Sequence, residues 1–226
     1  FSLPSIFLVG QDRFLTWPHV EQSGKLCLLP EHAGFEISTD VRLIDHLVQN
    51  ARDLIRQCLD GSNRADLATE VLSYWGAGLD DAKVKRFWSI LNPVGPTRSI
   101  AYWEGQRFVL LAETAERGRT WLEHFKGEFT GSRFSFGSGI FLWLPAPLYP
   151  EQYPANNTLL REIAKELGQH SVDVLVKVIK SSQEGFPVVF GFDVDQDSVL
   201  AGAWSLPLNH SIPHHNARSS LTRGFR

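Results

Sequence analysis

The feature that most constrains the fold is an apolar pattern of helical period between residues 40 and 59. Apolar side chains recur there three or four positions apart, at Ile44, Leu47, Val48, Ala51, Leu54, Ile55 and Cys58. Because side chains at this spacing share one face of an α-helix, the pattern predicts a strongly amphipathic helix. Ser38, Thr39 and Asp40 are suitable N-cap residues, and Asp60-Gly61 is a suitable stop.

The elements after this helix change character at N-P-V-G-P-T, residues 92–97, where prolines and a glycine predict a boundary. Before it, further helices are predicted from Arg64 to Trp75 and around residues 80–91. Short apolar runs at residues 5–9 and 25–29 predict strands. Beyond the boundary, the patterns predict a hairpin at 98–112 with its turn at Glu104-Gly105, and a flexible connector at 131–139. Helices are predicted at 114–125 and 158–167. Strands are predicted at 140–144, 172–179, 187–192 and 199–206.

Composition limits the function classes. The chain has 226 residues, a net charge of -3 and 43% hydrophobic residues, which is an ordinary globular composition. The absence of a long Lys/Arg block argues against nucleic acid as a partner. No apolar run approaches the roughly 20 residues that span a bilayer, so no membrane association is predicted. Two cysteines make no disulfide framework, which favours a reducing, cytoplasmic setting.

The two cysteines differ in their surroundings. Cys58 lies on the apolar stripe of the predicted helix, where a cysteine acts as a small hydrophobic residue. Cys27 ends the stretch W-P-H-V-E-Q-S-G-K-L-C-L, residues 17–28, after a Ser-Gly turn and just before a polar loop. A thiol at the mouth of a loop is expected to be partly exposed. From the pattern alone, Cys27 is either a buried strand residue or a nucleophile.

The order of motifs around Cys27 resembles the second half of a ubiquitin-conjugating (E2) domain. F-S-L-P-S-I-F-L-V matches that family's strand entry, and Leu26-Cys27-Leu28 matches its catalytic cysteine with its neighbours. Pro18 and Val20 match the second and fourth positions of the H-P-N-I/V motif, and Ser23-Gly24 matches the following turn. Trp17 and His19 depart from the motif's His and Asn. In this the chain is more similar to prokaryotic E2-like families, which are often fused or linked to ThiF-type E1 adenylyltransferases.

The resemblance implies a partial E2-like fold in the first part of the chain, and the elements beyond the boundary predict a second, mixed α/β module, so the expected fold class is α+β. The corresponding domains are residues 1–92 for the E2-like part, 93–206 for a linker or docking module, and 207–226 for a flexible tail. An E2 domain normally starts with a helix and two further strands, so the N-terminal part of this domain is expected to be missing. The chain also begins with Phe and has no Met, which points the same way.

The resemblance also implies chemistry at Cys27. Its thiolate would receive a ubiquitin-like protein from an E1-type adenylyltransferase as a thioester, and an amine of a target protein would then take the acyl group. His19 would supply an N–H to the oxyanion or act as a base, or else it is a loop histidine that steadies the turn. Pro18 and Gly24 would support the loop, and His32 is a candidate to approach the thiol. Bacterial protein modification and anti-phage defence are the settings that this family suggests.

Other chemistries are weaker. The tail residues His210, His214 and His215 lack a companion carboxylate or cysteine at metal-ligand spacing, so they predict a loop rather than a metal site. The Gly-Ser stretch at 131–139 has no phosphate-loop pattern, and no cofactor is predicted. Two alternatives to a carrier remain open: a catalytically inactive E2-fold scaffold, and an unrelated thiol enzyme that pairs Cys27 with a histidine of the second half.

Overall fold

A computed structural model describes residues 4–10, 12–28, 41–75, 86–126, 134–154, 157–182, 185–194 and 197–205. Helices and a six-stranded mixed sheet confirm the predicted α+β class. The chain divides into two compact units, Phe1–Tyr74 with Leu148–Glu151, and Trp75–Pro147 with Gln152–Arg226. The predicted domain boundaries after residues 92 and 206 stay predictions, because a compact unit is not necessarily a domain that folds independently. Among the described residues, none of the helices combines the length and the hydrophobicity that a membrane-spanning segment needs.

The first unit is organised around the predicted amphipathic helix. This helix, α1, spans Val41–Asp60 and confirms the prediction from the apolar period. Not all residues of the apolar pattern are buried, since the side chain of Ile44 is 55% exposed and that of Val48 is 37% exposed. The core of the unit consists of Val20, Leu26, Ala51 and Leu54, packed against Ile6, Leu8, Trp17, Leu28, Ile55 and Cys58. The helix therefore packs onto the segment that contains Cys27.

Two short helices follow α1. The single helix predicted from Arg64 to Trp75 is instead split into α2, Asp66–Thr69, and α3, Val71–Trp75. Leu67 and Val71 are buried, which anchors one helix each to the interior. The segment at residues 148–151 joins this unit through Arg64, which forms an ion pair with Glu151 and lies over the ring of Tyr149 at 5.1 Å.

Over residues 5–9 and 25–28, which the structure describes, the predicted strands are present only as isolated bridges. Phe7 pairs antiparallel with Lys25, and Val20 pairs antiparallel with Leu26. The backbone N–H of Leu8 donates to the Gly24 carbonyl at 2.8 Å, and that of Leu26 donates to the Ile6 carbonyl at 2.9 Å. These segments are therefore extended and hydrogen-bonded, without a regular ladder. The arrangement is consistent with a partial E2-like fold.

The second unit is built on one sheet with the strand order β1-β3-β2-β4-β5-β6. The β1/β3 and β4/β5 pairs are parallel and the other pairs are antiparallel. Its strands are β1 (Arg86–Ser89), β2 (Arg98–Glu104), β3 (Phe108–Ala112), β4 (Gly137–Trp143), β5 (Phe186–Val194) and β6 (Asp197–Ser205), and its helices are α4 (Ala115–Lys126), α5 (Asn157–Glu166) and α6 (Gln169–Ser181). The central strands are almost entirely buried, with Phe141, Val189 and Phe190 at 0% exposure.

The hairpin of β2 and β3, the helices α4 and α5, and the strands β5 and β6 confirm the sequence predictions. The helix predicted around residues 80–91 is wrong where the structure describes it, because Arg86–Ser89 pairs with β3 as a parallel strand. Phe87 is buried and Trp88 is exposed there, which is the alternation of a strand. The predicted connector at 131–139 is wrong for Gly137–Gly139, which begin β4.

The strand predicted at residues 172–179 is wrong. This segment lies in α6, where Ser171, Leu175 and Val178 are the buried residues at helical spacing. The apolar side chains of V-D-V-L-V-K-V-I alternate in sequence, so they fit a strand and a helix about equally well. Val176 is one of these alternating apolar residues, yet its side chain is 41% exposed, so the alternation in sequence does not match the pattern of burial.

Candidate functional site

A tight turn brings Glu21 and Lys25 together and sets the position of Cys27. The backbone N–H of Glu21 donates to the Lys25 carbonyl at 2.9 Å, and that of Gly24 donates to the Glu21 carbonyl at 2.8 Å. Gly24 has φ of 83°, and a Cβ atom there would lie 2.8 Å from the Leu8 carbonyl oxygen. The turn therefore requires glycine at this position for both conformation and space.

Cys27 is an exposed free cysteine on the strand-like segment after this turn. Leu26 before it is 4% exposed and belongs to the core. Since side chains alternate along an extended backbone, Cys27 faces away from that core. Its backbone N–H donates to the carbonyl of His19 at 2.9 Å, which ties the thiol-bearing residue to the opposite segment.

The thiol of Cys27 lies beside a carboxylate and an ammonium group. Its Sγ donates to Glu21 Oε1 at 3.6 Å, and Lys25 Nζ donates to the same oxygen at 3.0 Å. Partial burial, and then the negative charge of Glu21, raise the pKa of Cys27 above its ordinary value, while Lys25 opposes them in part. At neutral pH the group is therefore a thiol, and the nucleophilic thiolate forms only when a proton is removed.

His19 is held by two carboxylates. Its Nε2 is 3.0 Å from Asp66 Oδ2 and its Nδ1 is 2.8 Å from Glu70 Oε1. The hydrogen bond with Glu70 is the largest cause that raises the pKa of His19 from 6.5 to about 9; burial opposes it, and Asp66 adds to it. The ring is therefore an imidazolium at neutral pH, and each nitrogen donates to one carboxylate.

Tyr74 completes this cluster from α3. Its hydroxyl donates to Glu70 Oε2 at 2.6 Å and accepts the backbone N–H of His19 at 2.9 Å. Burial alone raises the pKa of Glu70, but the hydrogen bonds from His19 and Tyr74 outweigh it, so the net pKa is lowered. Burial, together with Glu70, raises the pKa of Tyr74. The hydroxyl is therefore a stable donor at neutral pH.

The backbone of His19 is fixed on both sides, with its N–H on Tyr74 and its C=O on the amide of Cys27. Its φ of 60° lies in the left-handed region, which non-glycine residues adopt at a cost of roughly 1 kcal/mol or more. These contacts favour the alternative in which His19 steadies the turn. A direct role for its ring in the chemistry stays a prediction, since both nitrogens already face carboxylates.

The second cysteine, Cys58, packs with apolar residues, as its position on the apolar stripe of α1 predicts. Cys58 is partly buried and packs against the first unit's core. Its Sγ lies 4.0 Å from the carbonyl oxygen of Pro18, and the side-chain amide of Asn63 donates to it at 3.4 Å. Burial raises the pKa of Cys58. Pro18 is buried, and its role in supporting the loop stays a prediction.

His32 and the tail residues His210, His214 and His215 lie outside the described residues. Within the described ranges, no group of three His, Cys, Asp or Glu side chains is arranged to hold a metal ion.

Sequence reasoning missed most of the cluster. Asp66, Glu70 and Tyr74 are spaced by four residues, which places them on one face of a helix and is a signal that the sequence does contain. The proximity of Glu21 and Lys25 could also be predicted, because the two residues flank a predicted turn. What the sequence does not indicate is that His19 is the residue that both carboxylates contact.

Comparison with protein-family models matches residues 1–84 to prokaryotic E2 family B. The matched range contains Cys27, His19, Asp66 and Glu70. It confirms the similarity to prokaryotic E2-like families for this part of the chain and supports an E2-like role in general. No curated protein and no solved structure matches the chain.

Proposed function

Because residues 1–84 match prokaryotic E2 family B, we propose that the chain carries a ubiquitin-like protein as a thioester on Cys27. It would receive the modifier from an E1-type adenylyltransferase of the ThiF kind and pass it to an amine of a target protein. The observation that supports this most is the exposed thiol of Cys27 on a hydrogen-bonded hairpin within the matched range. Because both cysteines are free, a reducing, cytoplasmic setting suits this function, in bacterial protein modification or anti-phage defence.

The first step is thioester exchange. Cys27 Sγ loses its proton and attacks the carbonyl carbon of the donor thioester, forming a new C–S bond. The old C–S bond then breaks, and the released donor thiolate takes up a proton. One thioester replaces another, so the energies are nearly balanced and a strongly acidic thiol is unnecessary. The raised pKa of Cys27 leaves little thiolate at neutral pH, so the resting thiol reacts slowly.

His19 serves this reaction as a positioning residue. Its carbonyl accepts the amide of Cys27, and its ring is anchored to Asp66 and Glu70. Loss of the ring contacts would let the His19 backbone move, and the Cys27 amide would move with it. Charging of Cys27 is therefore expected to depend on the His19 ring, which acts through the backbone of the turn.

A second candidate function is a catalytically inactive scaffold with an E2 fold. The raised pKa of Cys27 and the carboxylate of Glu21 beside its thiol favour this alternative. In that case the exposed thiol has no acyl donor, and the first unit acts only through protein–protein contacts.

The experiment compares Cys27→Ser with Cys58→Ser. The chain is incubated with ATP, an E1-type adenylyltransferase and its ubiquitin-like protein, and adducts are separated with and without a thiol reductant. A carrier forms an adduct that the reductant removes, and Cys58→Ser retains it because that thiol is partly buried against the core. Cys27→Ser loses this adduct or converts it to an ester that resists reductant. An adduct unchanged in Cys27→Ser, or no adduct with active E1 partners, contradicts the carrier function and favours the scaffold.

A further inference from the structure

We propose that Lys25 is an acyl acceptor for Cys27, so that a thioester on the thiol passes to Lys25 Nζ and becomes an amide. The inference rests on the proposed thioester at Cys27 and adds a modification site in this chain. It arises from a cluster of three side chains on the hairpin, Glu21, Lys25 and Cys27, which we call the hairpin cluster.

Lys25 and Cys27 lie on the same side of the backbone. They are two residues apart in an extended segment, and Leu26 between them points into the core. The turn that precedes them is restricted by Gly24, whose conformation and surroundings exclude a side chain. The two reactive groups are therefore placed together by the backbone and not only by flexible side chains.

Glu21 brings the amine close to the thiol. Its Oε1 accepts from Lys25 Nζ at 3.0 Å and from Cys27 Sγ at 3.6 Å. Since both groups contact one oxygen atom, the nitrogen and the sulfur can be no further apart than these two distances laid end to end. The carbonyl carbon of a thioester is bonded directly to Sγ, so it lies within the reach of the Lys25 side chain. An intramolecular amine at such a distance competes strongly with amines in solution.

The transfer step balances without any further reactant. The Lys25 ammonium first loses one proton to solvent, and the free amine attacks the thioester carbonyl carbon. A C–N bond forms and the C–S bond breaks, so Cys27 leaves as a thiolate. The nitrogen gives up a second proton and the thiolate takes up one. The products are an amide on Lys25 and a free Cys27 thiol, with one net proton released.

Glu21 also restrains this step. Its hydrogen bond and its charge raise the pKa of Lys25, while the Cys27 thiolate, when present, acts in the same direction. Glu21 and Cys27 are the titratable groups that act on Lys25 within the described residues. An ammonium is not a nucleophile, so Glu21 keeps the amine near the thioester but unreactive at neutral pH. Transfer is expected to accelerate about tenfold per pH unit until the pKa of Lys25 is reached.

The test uses a small acyl donor, the thioester of acetylglycine with 2-mercaptoethanesulfonate, and the full chain. After incubation at several pH values, thioesters are removed with a thiol reductant, and the remaining acyl groups are located by peptide mass spectrometry. Lys165, exposed on α5, reports direct acylation of lysine by the reagent. We expect the amide on Lys25 to exceed that on Lys165 by more than about tenfold.

Variants separate the routes. Cys27→Ala is expected to lower the Lys25 amide to the level of Lys165. Lys25→Arg keeps a positive charge beside Glu21 but has no nucleophilic amine, so the Cys27 thioester is expected to last longer. Glu21→Gln is expected to shift the onset of transfer to lower pH. Excess amide on Lys25 that persists in Cys27→Ala overturns the proposal, and an unshifted pH profile in Glu21→Gln overturns the restraint by Glu21.

The outcome is independent of the carrier function, because this donor needs neither an E1 nor a modifier. A stable Cys27 thioester without excess amide on Lys25 at any pH overturns this inference and leaves the carrier function intact. Transfer to Lys25 from the small donor, combined with no charging by active E1 partners, supports the inference and contradicts the carrier function.

Discussion

Replacing His19 by Asn tests how the turn that carries Cys27 is held. Asn tolerates the left-handed conformation that His19 adopts at φ of 60°, so this variant removes the ring contacts and adds little backbone strain. The lost contacts are the hydrogen-bonded ion pairs with Asp66 and Glu70. The amide of Cys27, which donates to the His19 carbonyl, reports whether the turn has opened.

The magnitude follows from the pKa of His19. One pH unit corresponds to about 1.4 kcal/mol, so a pKa raised from 6.5 to about 9 corresponds to about 3 kcal/mol at full strength. The Asp66 side chain is 43% exposed, and solvent screens such pairs. We therefore expect the ring contacts to stabilise the folded turn by about 1–2 kcal/mol at acidic to neutral pH.

The sign of the pH dependence is defined by the direction of each pKa shift. A raised histidine pKa gives stability that is fully present below 6.5 and is lost as the pH rises to about 9. The lowered pKa of Glu70 gives stability that is present above its unfolded value and is lost as the pH falls through the folded value. The contribution of the His19 ring contacts is therefore greatest near pH 5 to 6, roughly, and disappears above about pH 9.

Hydrogen exchange of peptides that cover residues 17–28 measures this effect locally. After correction for intrinsic exchange, His19→Asn is expected to speed exchange of the Cys27 amide by about tenfold near pH 6 and hardly at all above pH 9 or so. The control is His46→Asn, at an exposed histidine on α1 whose ring contacts Asn50; it is expected to leave this peptide unchanged. Equal acceleration at both pH values, or none at either, refutes the reasoning that the imidazolium holds the turn.

Two further substitutions test the packing around the site by urea unfolding. Gly24→Ala is expected to lower the free energy of unfolding by about 2 kcal/mol or more, because its Cβ would meet the Leu8 carbonyl oxygen. Gly61→Ala is the control, with a similar φ of 77° and no atom within 4 Å, and is expected to lower it by about 1 kcal/mol. Equal losses would show that space at the turn is not limiting. Leu54→Ala on the buried face of α1 is expected to lower the free energy of unfolding by about 2–5 kcal/mol. Leu59 is 71% exposed on the same helix, so Leu59→Ala is expected to lower it by under about 0.5 kcal/mol. A small loss for Leu54→Ala would contradict the described core.

Features with a strong local period were predictable from the sequence. The helix α1 lies within a residue of its predicted bounds, because its apolar spacing fits only one regular structure over five turns or so. The turn at Gly24 and the hairpin of β2 and β3 were also predictable, since glycine and the flanking apolar runs specify them locally. The position of Cys27 after such a turn followed from the same local signals.

Features that depend on a partner far along the chain were not predictable. The segment at 172–179 alternates like a strand, yet it forms part of α6, because a period of two and a helical period share positions in a short apolar run. Arg86–Ser89 carries a helical spacing, yet it pairs with Phe108–Leu111 as an edge strand of the sheet. In both segments, burial against distant residues decided between two locally acceptable structures.

The sequence by itself determined that a cysteine follows a tight turn next to a long amphipathic helix, because turns and helices are set by residues a few positions apart. Tertiary structure alone decided the state of the side chains around that cysteine. His19 meets Asp66 and Glu70 across more than forty positions of sequence, and their charges convert a histidine that looked available for chemistry into an anchored imidazolium. Electrostatic interactions depend on distance in space, and that distance exists only once α2 and α3 have packed beside the hairpin.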